Sequence, residues 1–507
     1  MTISKNITAH IKGQLTRSEN LTQIWKQLLK THINKSSLKM RTEDFSESKE
    51  FKNIAVLKED LLDNLTFNEI SIIYEYALSE SNHSDRKESG QYFTPEDVSK
   101  FLAEQYKLFP KNSIWLDPCA GVGNLSYWLV AQQPNPAEFI LKNLKLADKD
   151  SLALLTARVF LTLHFNPNKD FFAKTAKIVH HQNFLETVPP EHDYVLVNPP
   201  YLNLPKGDPR FETKDAKDLY AYFLEVISKY SKGFISITPQ SFTNSSKFKP
   251  LRKILIEKYN TLDVYIFDNM PDTIFKGYKF GSSNTNTKNS VRAAITVARN
   301  SQKPLYRTTP ILRWVSEERN KVFLQAPGML SKFLPDEKIF PKLSEGLNNY
   351  YYELVNNPKM GEIMSSKPTE WKLQIATTPR YYISATYRTL NRRSSKTLYF
   401  KDEKSLQKAY LLLNSSFMYW WWRVNDGGMT LALETIKSLP LPVFKTDETL
   451  ISQLKQSEIE NLVFKMNAGK KNENVKHPLN LVNQINKTIT PEYAGLLLET
   501  HKNSFIR

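Results

Sequence analysis

Between about residues 90 and 300 the chain alternates short apolar runs with longer segments whose apolar residues recur at three- and four-residue spacing. SIWLD, LKLAD, KIVHHQN, DYVLVN and GFISITP read as strands, while NLSYWLVAQ, SLALLTARVFLTLH and YFLEVISKY read as helices. Such alternation predicts an α/β fold, a Rossmann-like, mostly parallel sheet with helices on both faces. RAAITVA, after the polar tract GSSNTNTKNS, is expected to be the closing strand of that sheet. Upstream, LTQIWKQLLKTHI and FNEISIIYEYALSE carry helical periodicity, so a helical N-terminal region precedes the sheet. In GQYFTPEDVSKFLAEQ, Thr94 is expected as a helix N-cap, with Pro95 at the first helical position. Past SQKPLYRTTP, read as a linker, the alternation stops and the sequence turns aromatic and basic. The chain is thus expected to divide at 1–88, 89–303, 304–446 and 447–507, the last part a tail of short helices broken by KMNAGKKNENVKH.

Charge narrows the partners. The 507 residues carry 69 Lys and Arg against 52 Asp and Glu, a net +17, which favours a polyanion. Nucleic acid is the foremost expectation and an acidic membrane surface the rival. No apolar run reaches membrane-spanning length, and the polar start lacks the apolar core of a signal peptide. The single cysteine, Cys119, excludes an internal disulfide and a cysteine-cluster zinc site. A soluble cytoplasmic protein is expected.

The chemistry concentrates at strand ends. YVLVNPPY runs an apolar strand into Asn198, Pro199, Pro200 and Tyr201; two prolines end a strand cleanly, and alone this reads equally well as a terminator or as a rigid site. Upstream, LDPCAGVGN ends a strand at Asp117 and turns through Gly121 and Gly123 into a helix, a place where backbone closely approaches a ligand. LKLAD ends the next strand at Asp148, where a carboxylate accepts hydrogen bonds from a ribose diol. HHQNFLE adds Asn183 and Phe184, an amide and a ring suited to an adenine's edge and face. Taken in order, these residues fall on the carboxyl-end rim of a parallel sheet, where such folds bind ligands.

GQYFTP, DPCAGVGN, Asp148, QNF and NPPY, in this order, resemble the AdoMet-dependent amino-methyltransferases of DNA, in the N6-adenine gamma arrangement. The resemblance covers about Gly90 to Arg299, with DLYAYFLEVISKY and FISITPQSF matching further blocks. It implies S-adenosyl-L-methionine as cofactor and no metal. Tyr92, Phe93 and Thr94 would meet its methionine end, with Asp117 and the backbone of Gly121 and Gly123 close by. Asp148 would hold the ribose. Asn183 stands where the family usually has Asp, so that contact with the cofactor's adenine keeps an acceptor and lacks the charge. Asn198 and the Pro199 carbonyl would accept the two N–H bonds of a target amine, Pro200 would stiffen the loop, and Tyr201 would stack on a base extruded from the duplex. Phe275, in DTIFKGYKF, matches a pocket-edge aromatic of the family and reads equally well as core.

Residues 371–400 contain Arg380, Arg388, Arg392, Arg393 and Lys396, interleaved with Tyr381, Tyr382 and Tyr387, and no acidic residue. With a methyltransferase domain beside them they read as a contact to double-stranded DNA. The following LLLNSSFMYWWWRVNDGG resembles the end of target-recognition regions in single-chain restriction-modification methyltransferases, its WWW being core. The expectation is an α+β target-recognition domain, a sufficient monomer and a possible restriction endonuclease acting separately. DPRFETK carries the E-x-K of a metal-dependent nuclease, but Asp208 lies only four residues upstream and the segment follows NPPY in a loop, so the match is chance; no phosphate-binding G-x-x-x-x-G-K-[ST] occurs. Cytosine N4, RNA or a protein glutamine are the competing substrates of the same motif, and a non-catalytic nucleic-acid-binding module is the competing class.

Overall fold

The computed structural model describes residues 5–17, 20–81, 94–275, 279–280, 283–284, 291–467, 469–502 and 504–506. The chain divides into two compact units: Met1–Phe242 with Lys247–Asn269 and Thr273–Leu305, and Thr243–Ser246 with Met270–Asp272 and Tyr306–Arg507.

The first unit is built on β1 (Trp115–Asp117), β2 (Leu144–Asp148), β3 (Val179–His181), β4 (Tyr194–Val197), β5 (Gly233–Pro239), β6 (Thr261–Phe267) and β7 (Ala293–Arg299). Their spatial order is β6-β7-β5-β4-β1-β2-β3. Neighbours run parallel except β7, which is antiparallel to both β5 and β6. RAAITVA therefore does not close the sheet but lies inside it between β5 and β6, and LYRT of the expected linker forms a short strand, Leu305–Thr308. TLDVYIF, which forms β6, is a strand that apolar patterning passes over because Asp263 interrupts it. Every residue of β6 is buried, and the Asp263 carboxylate is met at 3.2 Å by Arg299 of β7, so a charge is accommodated inside the sheet. The chain leaves β1 toward β2 and β3, then returns to build β4 on its other side. This reversal opens a crevice at the carboxyl ends of β1 and β4, the usual ligand position in such sheets.

The N-terminal helices share a core with the sheet's covering layer. In the helix Ser151–Phe165, Leu154, Ala157 and Leu161 pack with Leu144 and Leu146 of β2. Its other side, with Leu152, Leu155, Val159 and Phe160, packs with Trp25, Leu28, Phe67 and Ile70 of the helices Leu21–Met40 and Phe67–Ser81. The Trp25 indole N–H donates to the Thr156 hydroxyl at 2.9 Å, which satisfies the one polar atom of a fully buried ring.

The second unit centres on an antiparallel sheet ordered β9-β8-β10, with β8 (Lys372–Ala376), β9 (Ala385–Thr386) and β10 (Ser395–Tyr399). The helix Ser416–Asn425 contains Trp420, Trp421 and Trp422, all buried as core. Residues 447–507 belong to this same unit: the helix Leu479–Ile489 sends Asn486 to the backbone and hydroxyl of Ser416 at 2.9 Å each. Within 447–507 the expected break forms a hairpin, β11 (Leu462–Asn467) against β12 (Lys470–Val475). Among the described residues no helix is long and apolar enough to cross a membrane.

Candidate active site

The three residues of β1 are all buried, and the chain leaves it through a turn that only glycine fits well. Gly121 and Gly123 have φ of 53° and 88°, the left-handed region. A Cβ on Gly123 would stand 2.9 Å from that of Ala157 on the helix behind. The turn aims the Gly121 N–H at Asp148 Oδ2, 2.8 Å away, and starts the helix Asn124–Ala131.

These elements enclose a cleft of about 310 Å³ lined by Thr94, Asp117, Gly121, Asp148, Asn183, Phe184, Asn198 and Pro200. Eight sequence-predicted residues are thus brought together. Gly123 shapes the turn, while Pro199, Tyr201 and Phe275 lie outside the lining. Tyr92 and Phe93 fall outside the described residues.

The cleft is acidic. Asp117 is 2 % exposed; its Oδ2 accepts from the Ser126 hydroxyl at 3.0 Å, and its buried Oδ1 has no hydrogen-bond partner. Burial, reinforced by the nearby Asp148 charge, pushes its pKa up to about 7. Burial also raises Asp148, against the opposing N–H bonds from Gly121 and Asp150. Phe184 is buried and stacks on Phe223 with ring centroids 5.3 Å apart. The Asn183 side chain is exposed and caps its own turn at the Leu185 N–H, 3.3 Å away.

On the rim, the Asn198 amide is held from both ends. Its Nδ2 donates to the Thr94 hydroxyl at 2.8 Å, and its Oδ1 accepts from the Tyr201 hydroxyl at 2.7 Å. Thr94 therefore serves Asn198 rather than capping: the helix begins at Glu96 and Pro95 occupies the cap position. The Tyr201 hydroxyl also reaches the Ile237 carbonyl at 2.9 Å, which draws the ring inward to 5 % exposure. Phe275, 2 % exposed, meets Tyr201 edge-on with centroids 6.0 Å apart. The two rings expected around a base thus pack against each other here.

Sequence reading missed the cleft's outer wall. Ser71, Tyr74, Glu75 and Leu78 of the helix Phe67–Ser81 line it. The Tyr74 hydroxyl donates to Asp150 Oδ2 at 2.6 Å, and the Asp150 N–H donates to Asp148 Oδ1 at 2.9 Å. The signal was present in the spacing: all four residues fall at three- and four-residue intervals on one helical face.

In the second unit, Arg380 is exposed between β8 and β9, and Arg388, Arg392, Arg393 and Lys396 gather where β9 leads into β10. Arg388 donates to the Glu458 carbonyl at 3.3 Å. Arg392 donates to the Ser394 carbonyl at 3.0 Å and to Asn474 Oδ1. Arg393 and Lys396 are exposed.

An acidic, glycine-walled cleft at the switch point of this sheet, with an Asn-Pro-Pro-Tyr turn on its rim, defines the class: a methyltransferase fold. Residues 67–282 match the family model described as N-6 DNA Methylase. The match begins at Phe67, so it includes the helix that walls the cleft. The chain is similar to the type II methyltransferase M.PstI of Providencia stuartii, 24 % identical over 39 % of this chain and 42 % of that protein. It is also similar to the modification methylase CviBIII of Paramecium bursaria Chlorella virus NC1A, 26 % identical over 40 % of this chain and 49 % of that protein. The chain thus spans less than half the length of either relative. Among solved structures, a DrdV–DNA complex aligns with 15 % identity over 63 % of this chain and 38 % of that chain, with a TM-score of 0.44.

Proposed function

We propose that this chain is a sequence-specific DNA methyltransferase that transfers a methyl group from S-adenosyl-L-methionine to N6 of an adenine flipped out of double-stranded DNA. In this reading it is the modification enzyme of a restriction-modification system. The observation that carries the proposal is the placement of the Asn198 amide, locked by Thr94 and Tyr201 on the rim of the acidic cleft.

The cleft's residues suit the cofactor. The unpartnered Oδ1 of Asp117 lies in a cleft lined also by Asp148, Asp150 and Glu75, a field that favours a cationic ligand. Asp148 would accept from the ribose hydroxyls, Phe184 would offer an apolar face, and the Gly121 turn would admit close backbone approach. When bound, the cofactor supplies an electrophilic methyl on a sulfonium. The protein's part is to present the amine. Asn198 Oδ1 and the Pro199 carbonyl would hold its two N–H bonds, directing the nitrogen lone pair outward, and the prolines keep these acceptors preorganised as positive charge develops. Tyr201 and Phe275 would part to take the flipped base, because its target atom is inaccessible inside the duplex. Arg380, Arg388, Arg393 and Lys396 are exposed cations that would serve phosphate and base contacts.

Labelled AdoMet and unmethylated genomic DNA, followed by nucleoside analysis, test this. Label is expected in N6-methyladenine, and Asn198→Ala is expected to lower the rate by about 10²–10³, the usual effect of losing one preorganised hydrogen-bonding group. Label in N4-methylcytosine would replace the substrate while leaving the fold; no label in DNA, with AdoMet still bound, would favour RNA or a protein amide.

A further inference from the structure

The hairpin β11–β12 is two strands of six residues each, about 20 Å long at the usual rise per residue. The middle of β12, Asn472 to Asn474, is fastened to the segment joining β9 and β10. The Asn391 N–H donates to Glu473 Oε2 at 2.7 Å, the Glu473 N–H returns to the Asn391 carbonyl at 3.0 Å, and the Arg393 N–H donates to Asn472 Oδ1 at 3.0 Å. The Arg392 guanidinium completes the attachment through Asn474.

Phe464 stands directly opposite the fastened Glu473, and the pairs Met466–Lys471 and Asn467–Lys470 extend past the attachment toward the turn. Phe464 is 53 % and Met466 65 % exposed. They are two residues apart in β11 and therefore share a face. Lys471 pairs with Met466 in the register and lies 3.8 Å from the Phe464 ring centroid. From 462 to 476 the chain holds Lys465, Lys470, Lys471 and Lys476 against one acid, Glu473, whose carboxylate is engaged by Asn391. Two large apolar side chains in water among lysines suit a partner that is anionic outside and apolar within.

We propose that the β11–β12 ribbon enters the major groove of double-stranded DNA and carries part of the sequence specificity, resting on the DNA reading above. A two-stranded ribbon fits that groove; apolar side chains there meet thymine methyls, and a lysine meets the N7 and O6 acceptors of guanine. Phe464 and Met466 take the first role and Lys471 the second. Arg392 then acts as the ribbon's fastening, which accounts for a guanidinium turned toward its own chain in an otherwise exposed basic segment.

The test uses the full-length chain and its triple variant Phe464→Ala/Met466→Ala/Lys471→Ala, all exposed positions that leave the fold intact. Each is assayed for AdoMet binding by calorimetry, for affinity to unmethylated genomic fragments at two salt concentrations, and for its methylated sites by sequencing of the modified DNA. The expected result is unchanged AdoMet affinity, at least tenfold weaker binding to methylatable fragments at the higher salt, and a relaxed set of methylated sites. Wild-type binding with an unaltered affinity and site spectrum in the variant overturns the ribbon alone. A wild type that binds no duplex at either salt overturns the ribbon together with the reading on which it rests.

Discussion

Asp117 and Gly123 set opposite kinds of constraint on the cleft, one electrostatic and one steric. Burial raises the Asp117 pKa to about 7, from an ordinary 3.8. The folded chain therefore keeps this proton up to about pH 7, whereas the unfolded chain has released it by about pH 4. Within that window the unfolded state binds fewer protons than the folded one, so stability from this group falls as pH rises through it; above it both states have lost the proton and the contribution is level. Asp117→Asn mimics the protonated form. In calorimetric melts without ligand its advantage should be small near pH 4 and largest above pH 7; parallel curves for the two proteins would sink this account. The same ionisation favours a cation, so AdoMet affinity should rise through neutrality, more steeply than that of the sulfonium-free product S-adenosylhomocysteine. Gly123→Ala meets both a left-handed φ and the Ala157 Cβ at 2.9 Å, so it should cost about 1–3 kcal/mol and weaken AdoMet binding by displacing the turn. Gly121→Ala, with nothing within 4 Å of its Cβ, should be the milder change by the same two measurements.

The helix Ser151–Phe165 shows how far element patterning reveals this fold. Its residues 152–163 are buried without interruption, a pattern that announces a helix covered on both sides but does not say by what. One cover is β2, which the strand-helix alternation predicts; the other is the N-terminal helical layer, a long-range pairing with no local signature. The motifs at strand ends were legible for a related reason: rigid turns need Gly and Pro, and these stand out in any sequence. The strand β6 was not legible, because Asp263 depends on Arg299; the helical face that carries Tyr74 was legible in its spacing, but its partner Asp150, distant in sequence, was not. Trp25 tests the N-terminal layer directly. Trp25→Ala empties a fully buried site and leaves the Thr156 hydroxyl without its donor, so a loss of about 3–5 kcal/mol is expected in denaturant unfolding. Trp25→Phe keeps most of the packing and should lose markedly less; equal losses would mean that the hydrogen bond, not the ring volume, holds the layer.

At the scale of the whole molecule, the net charge of +17 makes the two proposed ligands respond differently to salt. AdoMet would bind beside the buried carboxylates of Asp117 and Asp148, which added ions screen little, so its affinity should change less than about threefold between 50 and 200 mM salt. DNA binding displaces counterions from phosphates, and its logarithm should fall linearly with the logarithm of salt concentration. If the exposed cations of the second unit make about six phosphate contacts, the slope is about −5 and the same salt range costs roughly a thousandfold. Arg393→Ala and Lys396→Ala, both exposed, should each flatten the slope by about one while lowering affinity for all sequences alike. A change at Lys471 should instead alter which sequences are preferred. A membrane surface, the rival that net charge alone permits, would also weaken with salt, yet it would bind equally well with Phe464 and Met466 left in place and Lys471 removed only if apolar insertion dominated. Vesicles of anionic phospholipid measured beside the duplex therefore separate the two partners: DNA binding with no vesicle binding places the charge in the service of nucleic acid, whereas vesicle binding without DNA binding would reassign the basic surface and leave the methyltransferase cleft in search of another substrate.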